Sequence, residues 1–333
     1  MTFIEEQISK IKTNTTVIVY PEGAEPDIIK AAEQLVCRRL ASPVLIGERN
    51  KIMEKAAEIG ADLAGVELIN PKESPKTAVY AETFAKICGF PETTAKILLK
   101  RPLYYAAMMT KAGDADCMAA GIITETAEVV AAYKMILGME KGIITPSCIS
   151  IVEAPGFQGE EGGLIAMSDT AINENPMSEE LADIAISSAR TVKKLLDWMP
   201  RVALLSFSTL ASSGHECARK VADAVKLAQS REPGLLIDGE MQLDTAVSPE
   251  VAKRKFTRPS QVAGRANVLV FPNLDSSNIG IKLLQRLGNA SSSGGILQGF
   301  SKPVCDLSRG ANAEQVVRNA VMLIRLSEAQ KPS

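Results

Sequence analysis

The chain has 333 residues, with 37 Lys and Arg against 39 Asp and Glu and a formal net charge of -2. That near-balance excludes a basic nucleic-acid binder, whose phosphate contacts need a clustered surplus of cations, and it excludes a polyacidic solvating tail. A hydrophobic share of 46% lets a chain of this length bury one large or two medium cores, while an aromatic share of 4% is too thin for platforms that stack single-stranded nucleic acid.

The amino terminus, MTFIEEQISKIKTNTT, lacks the basic start, apolar stretch and small-residue cleavage site of a secretory signal. No segment approaches the roughly 20 apolar residues of a membrane span. A cytoplasmic protein with no membrane and no nucleic-acid partner is expected. Residues 15–20 (TTVIVY) read as a strand, followed by the turn Pro21-Glu22-Gly23. A helix is predicted over 27–40, where Ile28, Ala31, Ala32 and Leu35 recur at helical spacing. Strands follow at 42–47 and 66–70 with a helix over 50–59 between them, then two helical stretches over 76–112 and a strand at 116–120. This alternation predicts a parallel sheet with crossover helices.

Beyond residue 143 the pattern shifts. Residues 148–152 and 164–168 read as strands around the glycine-rich turn 156–163, with no helix between, so local antiparallel pairing is expected. A helix over 178–199 has Ser178 as candidate N-cap, Glu179 and Glu180 in its first turn, and Lys193 and Lys194 near its end. Strands at 202–206, 235–237 and 268–271 alternate with helices over 217–229 and 279–287, and a last helix covers 313–327. The expected fold class is α/β: two α/β domains with mainly parallel sheets, the first from 1–143 plus 297–333 and the second from 144–296.

Three strands end in polar loops: SFSTLASSG after 202–205, DGEMQLD after 235–237 and PNLDSSN after 268–270. Ligands of open α/β sheets bind beyond the carboxyl ends of strands, so these loops are candidate site walls, although Ser, Thr, Asn and Gly also serve as plain turn and cap residues. In 298–310 (QGFSKPVCDLSRG), Ser308 and Arg309 stand just ahead of a helix expected to begin near Ala311. A hydroxyl, a guanidinium and free amides can converge there on an anion, phosphate being the natural guest. The alternative is that Ser308 caps the helix and Arg309 pairs with Asp306. His215 is the only histidine, and the six cysteines have no CxxC or Cys/His spacing, so reduced, mostly buried thiols and no metal are expected. No Walker A or GxGxxG sequence is present, which sets aside a dinucleotide-dependent dehydrogenase.

Residues 20–23 (YPEG), 200–209 (PRVALLSFST), 238–244 (DGEMQLD), 264–272 (GRANVLVFP), 278–288 (NIGIKLLQRLG) and 298–310 together resemble the phosphate acetyltransferase and phosphate butyryltransferase family. The similarity spans essentially the whole chain and is strongest after Leu181. The resemblance implies reversible acyl transfer between coenzyme A and inorganic phosphate, giving an acyl phosphate, in an interdomain cleft of a homodimer. Coenzyme A would be a substrate, and no cofactor is implied. Ser308 and Arg309 would be catalytic; Ser206, Ser208, Thr209, Asn278, Lys302 and Thr126 would bind substrate. Acetyl is the default acyl group, with propionyl or butyryl the alternative. Family arginines fall on Asp27, Ala85 and Ala131, and the aspartate proposed as thiol base falls on Gln315. These differences motivate a second alternative, a weakly active or non-catalytic paralogue that binds coenzyme A.

Overall fold

The computed structural model describes residues 2–331. The chain divides into two compact units, one running to Met139 and resuming at Phe300, the other being Glu140–Gly299.

The first unit opens with α1 (Phe3–Ser9), which was not expected from the sequence pattern; Thr2 and Glu5 close a capping box at its start. Then come β1 (Val17–Tyr20), α2 (Pro26–Cys37), β2 (Ser42–Ile46), α3 (Arg49–Ile59) and β3 (Glu67–Ile69). The stretch predicted as two helices holds three: α4 (Lys76–Cys88), α5 (Glu92–Leu98) and α6 (Pro102–Ala112). Pro91 and Pro102 each lack the N–H that would continue the preceding helix, and each instead starts a new one. β4 (Cys117–Ala120) and α7 (Thr126–Ile136) complete the first pass. No helix is predicted at α7, whose short TAEVVAAYKMI run mixes β-branched and helix-favouring residues.

The second unit contains β5 (Ser147–Glu153), β6 (Leu164–Ser168), α8 (Ser178–Leu196), β7 (Arg201–Leu205), α9 (Glu216–Arg231), β8 (Leu236–Met241), α10 (Leu243–Val247), α11 (Pro249–Lys255), β9 (Val268–Val270), α12 (Leu274–Leu287) and β10 (Ser291–Gln298). Ser178 is the first helical residue of α8 rather than its cap, and its hydroxyl donates to the Lys220 carbonyl at 3.0 Å. β10 is the element least visible in the sequence, because SSSGGILQ reads as a turn. Its ladder shifts register between Ser293 and Ile296. A Cβ on Gly294 would come within 2.5 Å of Ser150 Oγ, so the glycine belongs to a bulged strand in close contact with β5. The chain then returns to the first unit as β11 (Val304–Asp306) and α13 (Ala313–Gln330).

Within the first unit the strand order is β3-β2-β1-β4-β11, every neighbour parallel. Within the second the order is β10-β5-β6-β9-β7-β8, with β10/β5 and β5/β6 antiparallel and the rest parallel. The antiparallel pairing expected around the glycine-rich turn is therefore present. One core joins Ile18, Tyr20 and Leu45 to Ile28, Ile29 and Leu35 of α2 and to Val316, Val321 and Ile324 of α13. Each fully buried side chain of this size contributes about 1.5–3 kcal/mol. The second unit has its own core around Met167, Leu205, Met241 and Leu269. Cys117, Cys148 and Cys305 are buried, whereas Cys37 and Cys217 are exposed, so the expectation of mostly buried thiols holds for half the set. Among the described residues no helix is long and apolar enough to cross a membrane.

Candidate active site

In the first unit, β1, β4 and β11 are adjacent and parallel, so the segments that follow them emerge at one edge of the sheet. These segments are Pro21-Glu22-Gly23, the stretch from Gly121 to Glu125, and Leu307 to Gly310. Glu22 ties the first to the second. Its Oε2 accepts from the N–H groups of Gly121 and Ile122 at 2.9 and 3.0 Å, and its Oε1 accepts from Ile123 and Thr124 at 3.0 and 2.7 Å. Four donors satisfy a carboxylate that is only 8% exposed, which removes the cost of burying it unpaired.

Asp306 ties the second segment to the third: Thr126 Oγ1 donates to its Oδ2 at 2.6 Å. Burial pushes the Asp306 carboxyl up to about 6; the Thr126 hydrogen bond opposes this, the Glu22 charge adds to it, and the Arg309 charge opposes it. Among the described residues Asp306 Oδ1 has no hydrogen-bond partner. It lies against Gly121, where a Cβ would meet it at 2.2 Å, and the φ of +110° there also demands glycine.

Ser308 and Arg309 are both exposed at the carboxyl end of β11. The helix after them begins at Ala313, where the last helix is expected and two residues beyond a start near Ala311, and its cap is Asn312. Ser308 is thus not the cap; its hydroxyl receives only a long 3.5 Å contact from the Gly310 N–H. Among the described residues Arg309 has no hydrogen bond or ion pair, so its guanidinium is uncommitted. Thr126 shares this edge through Asp306. Lys302 does not, because it precedes β11, some six residues of chain or up to roughly 20 Å from Ser308.

The four positions that differ from the resembled pattern have structural explanations or none. Asp27 Oδ1 accepts from the N–H of Ala313, the first residue of α13. Gln315 forms a capping box with Asn312, both hydrogen bonds being 3.0 Å. Ala131 is exposed on α7 and Ala85 half-buried on α4, and nothing in their surroundings requires alanine.

In the second unit, β9, β7 and β8 are likewise adjacent and parallel, so the three polar loops share one edge. Ser206, Ser208 and Thr209 are on the first of them. The Ser206 N–H donates to the Met241 carbonyl at 2.9 Å. Ser208 is buried and donates to Glu240 Oε1 at 2.7 Å, while Thr209 Oγ1 accepts from the Gln242 N–H at 3.0 Å. Glu240 Oε1 also accepts from the Ala211 N–H at 2.8 Å. These hydroxyls therefore lace the two loops together, fixing the backbone that a ligand would meet. Asn278 lies on α12, half-buried. His215 caps α9, its Nδ1 accepting from the Cys217 N–H at 3.2 Å.

A profile of phosphate acetyl/butaryl transferase matches residues 2–324. The phosphate acetyltransferase of Clostridium acetobutylicum is 40% identical, with 99% of each chain covered. That of Bacillus subtilis is 40% identical over 94% of this chain and 95% of the relative. The crystal structure of a phosphotransacetylase from Streptococcus pyogenes superposes with a TM-score of 0.91 at 34% identity, covering 98% of this chain and 99% of that one. The chain belongs to the phosphate acetyl/butaryl transferase family.

For a member of the phosphate acetyl/butaryl transferase family, two acids stand out: Glu22, with no role expected from the sequence, and Asp306, expected there only as an ion-pair partner of Arg309. Glu22 is in the YPEG segment and Asp306 opens the DLSRG segment. A carboxylate in an otherwise apolar or glycine-rich strand end was the available signal, since such a group must find buried donors.

Proposed function

We propose that this chain is a phosphate acetyltransferase, carrying the acetyl group between coenzyme A and inorganic phosphate. The observation that carries the reading is the exposed Ser308-Arg309 pair beyond β11, with an unpaired guanidinium, in a chain that belongs to this family over its length. In the direction of acetyl phosphate synthesis, a phosphate oxygen attacks the thioester carbonyl and a C–O bond forms as the C–S bond breaks. The proton lost by hydrogen phosphate ends on the coenzyme A sulfur, so atoms and charge balance. The Arg309 fork suits the phosphate bidentately, and the Ser308 hydroxyl suits the oxyanion that develops on the carbonyl oxygen. Coenzyme A is a substrate, and the bond change calls for no further cofactor. The Gln315 amide, tied into its capping box, accepts no proton.

The proposal extends to a cytoplasmic homodimer. Ile279, Leu283 and Leu287 recur along one face of α12 and are 57%, 51% and 79% exposed, a stripe suited to self-association.

The test is release of free thiol from acetyl-, propionyl- and butyryl-coenzyme A at millimolar phosphate. Turnover fastest with acetyl, and lowered at least a hundredfold by Arg309→Ala, is expected. Coenzyme A binding without turnover on any donor would replace the enzyme with a binding paralogue.

A further inference from the structure

We propose that Arg101 is a second phosphate-binding guanidinium of the site served by Arg309, held in reserve by Glu128. This rests on the phosphate-transfer reading above and adds a residue to it.

Arg101 caps α6, and its guanidinium lies 5.0 Å from the centroid of the Tyr104 ring, one turn along the same helix. One terminal nitrogen of the guanidinium pairs with Glu128 Oε1. Glu128 is in the first turn of α7, two residues beyond Thr126, whose hydroxyl holds Asp306. Asp306 in turn feels the charge of Arg309. The first turn of α7 therefore contacts Arg101 through Glu128 and the end of β11 through Asp306, three residues before Arg309.

Three physical points make Arg101 a phosphate ligand rather than a surface ornament. A phosphate dianion facing Arg309 alone keeps a net charge of -1, and a second guanidinium completes neutralisation. The leading N–H groups of α7, on Thr126 and Ala127, have no hydrogen-bond partner among the described residues and add the positive end of an eleven-residue helix. The Arg101–Glu128 pair is also easy to exchange: the side chains are 53% and 38% exposed, and ion pairs so placed are weak. Phosphate can take the fork from Glu128 while Tyr104 keeps the guanidinium plane oriented. Lys302, the other cation near β11, stands at the wrong end of that strand to substitute.

Glu128 is then both a positioning residue and a competitor, which gives the test its sign. The full-length chain, Arg101→Ala, Arg101→Lys and Glu128→Gln would be compared for phosphate KM, acetyl-coenzyme A KM, and the rise in Tm caused by phosphate. Arg101→Ala is expected to raise phosphate KM about tenfold or more and to shrink the phosphate-dependent rise in Tm at a given phosphate concentration, leaving acetyl-coenzyme A KM unchanged. Arg101→Lys is expected to restore part of that loss. Glu128→Gln removes the competing anion and is expected to lower phosphate KM two- to threefold. A merely structural pair would make Arg101→Ala and Glu128→Gln behave alike, lowering Tm without moving phosphate KM, and that result overturns the inference.

The two readings also fail separately. Wild-type turnover with phosphate KM unmoved by either variant removes Arg101 and leaves the activity. No turnover, but phosphate protection that Arg101→Ala weakens, removes the activity and keeps the site. Neither turnover nor phosphate protection in the wild type removes both.

Discussion

The Asp27 carboxylate accepts a hydrogen bond at 3.0 Å from the backbone N–H of Ala313, 286 residues away, and so places a negative charge on the amino end of α13. The contact locks the start of α2 to the start of the last helix, both of which pack in the same core. It combines a charge-assisted hydrogen bond with a favourable helix-dipole interaction. Asp27→Ala is expected to cost about 1–2 kcal/mol and Asp27→Asn about half as much, because the amide retains an acceptor but no charge. Urea unfolding of the two variants measures this, and equal stability of both with the wild type would refute it.

Glu22 holds four consecutive N–H groups with two oxygens. Glutamine at this position offers one acceptor oxygen and turns an NH2 toward donors. Glu22→Gln should therefore cost about 3 kcal/mol or more, since charged hydrogen bonds are lost and buried donors are left unpaired. Amide hydrogen exchange at residues 121–124 should accelerate more than exchange in β2. Unchanged protection there would mean that the clamp does not stabilise the segment.

The Asp306 carboxyl, pushed up to about 6 by burial, makes stability depend on pH in the direction opposite to a salt-bridged acid. The folded state binds this proton more tightly than the unfolded state does. Its contribution is therefore full below about pH 4 and is lost as pH rises through about 6, amounting to at most about 3 kcal/mol for a shift of about two units. Asp306→Asn should be more stable relative to wild type at pH 7.5 than at pH 4.5, with the gap widening across that window. Denaturant unfolding at the two values decides the point: a gap independent of pH would contradict it.

Alternation of β-branched runs with helical periodicity made the parallel strands legible, because burial on both faces selects Val, Ile and Ala in β1, β2, β4 and β9. It failed at β10, whose Ser and Gly residues are there to let a bulge approach Ser150, a tertiary demand that local pattern does not carry. The helix α7 was missed for a related reason: its amino end is fixed by Glu22 and Asp306 from remote strands, not by a local cap. Ser308 and Arg309 could be singled out from their place before a helix, yet the helix starts at Ala313 under an Asn312 cap and leaves both outside it. The polar loops of the second unit were visible as candidate walls. That Ser208 and Thr209 spend their hydroxyls on Glu240 and the Gln242 N–H depends on two loops being neighbours, which only the strand order β7-β8 reveals.

The chain leaves its first unit at Met139 and re-enters it only at Phe300. During synthesis from the amino terminus, β4 waits without its outer neighbour β11, and α2 waits without α13, until nearly the whole polypeptide has been made. The inserted unit is by contrast contiguous, with every strand of its sheet between residues 147 and 298. On a ribosome that adds about 5–20 residues per second, the inserted unit has its full set of partners first. The edge of β1, β4 and β11 that carries the candidate site is the last part of the molecule to close, so a chain cut short before residue 304 lacks Ser308 and Arg309 together with the strand and helix that seal the core beneath them.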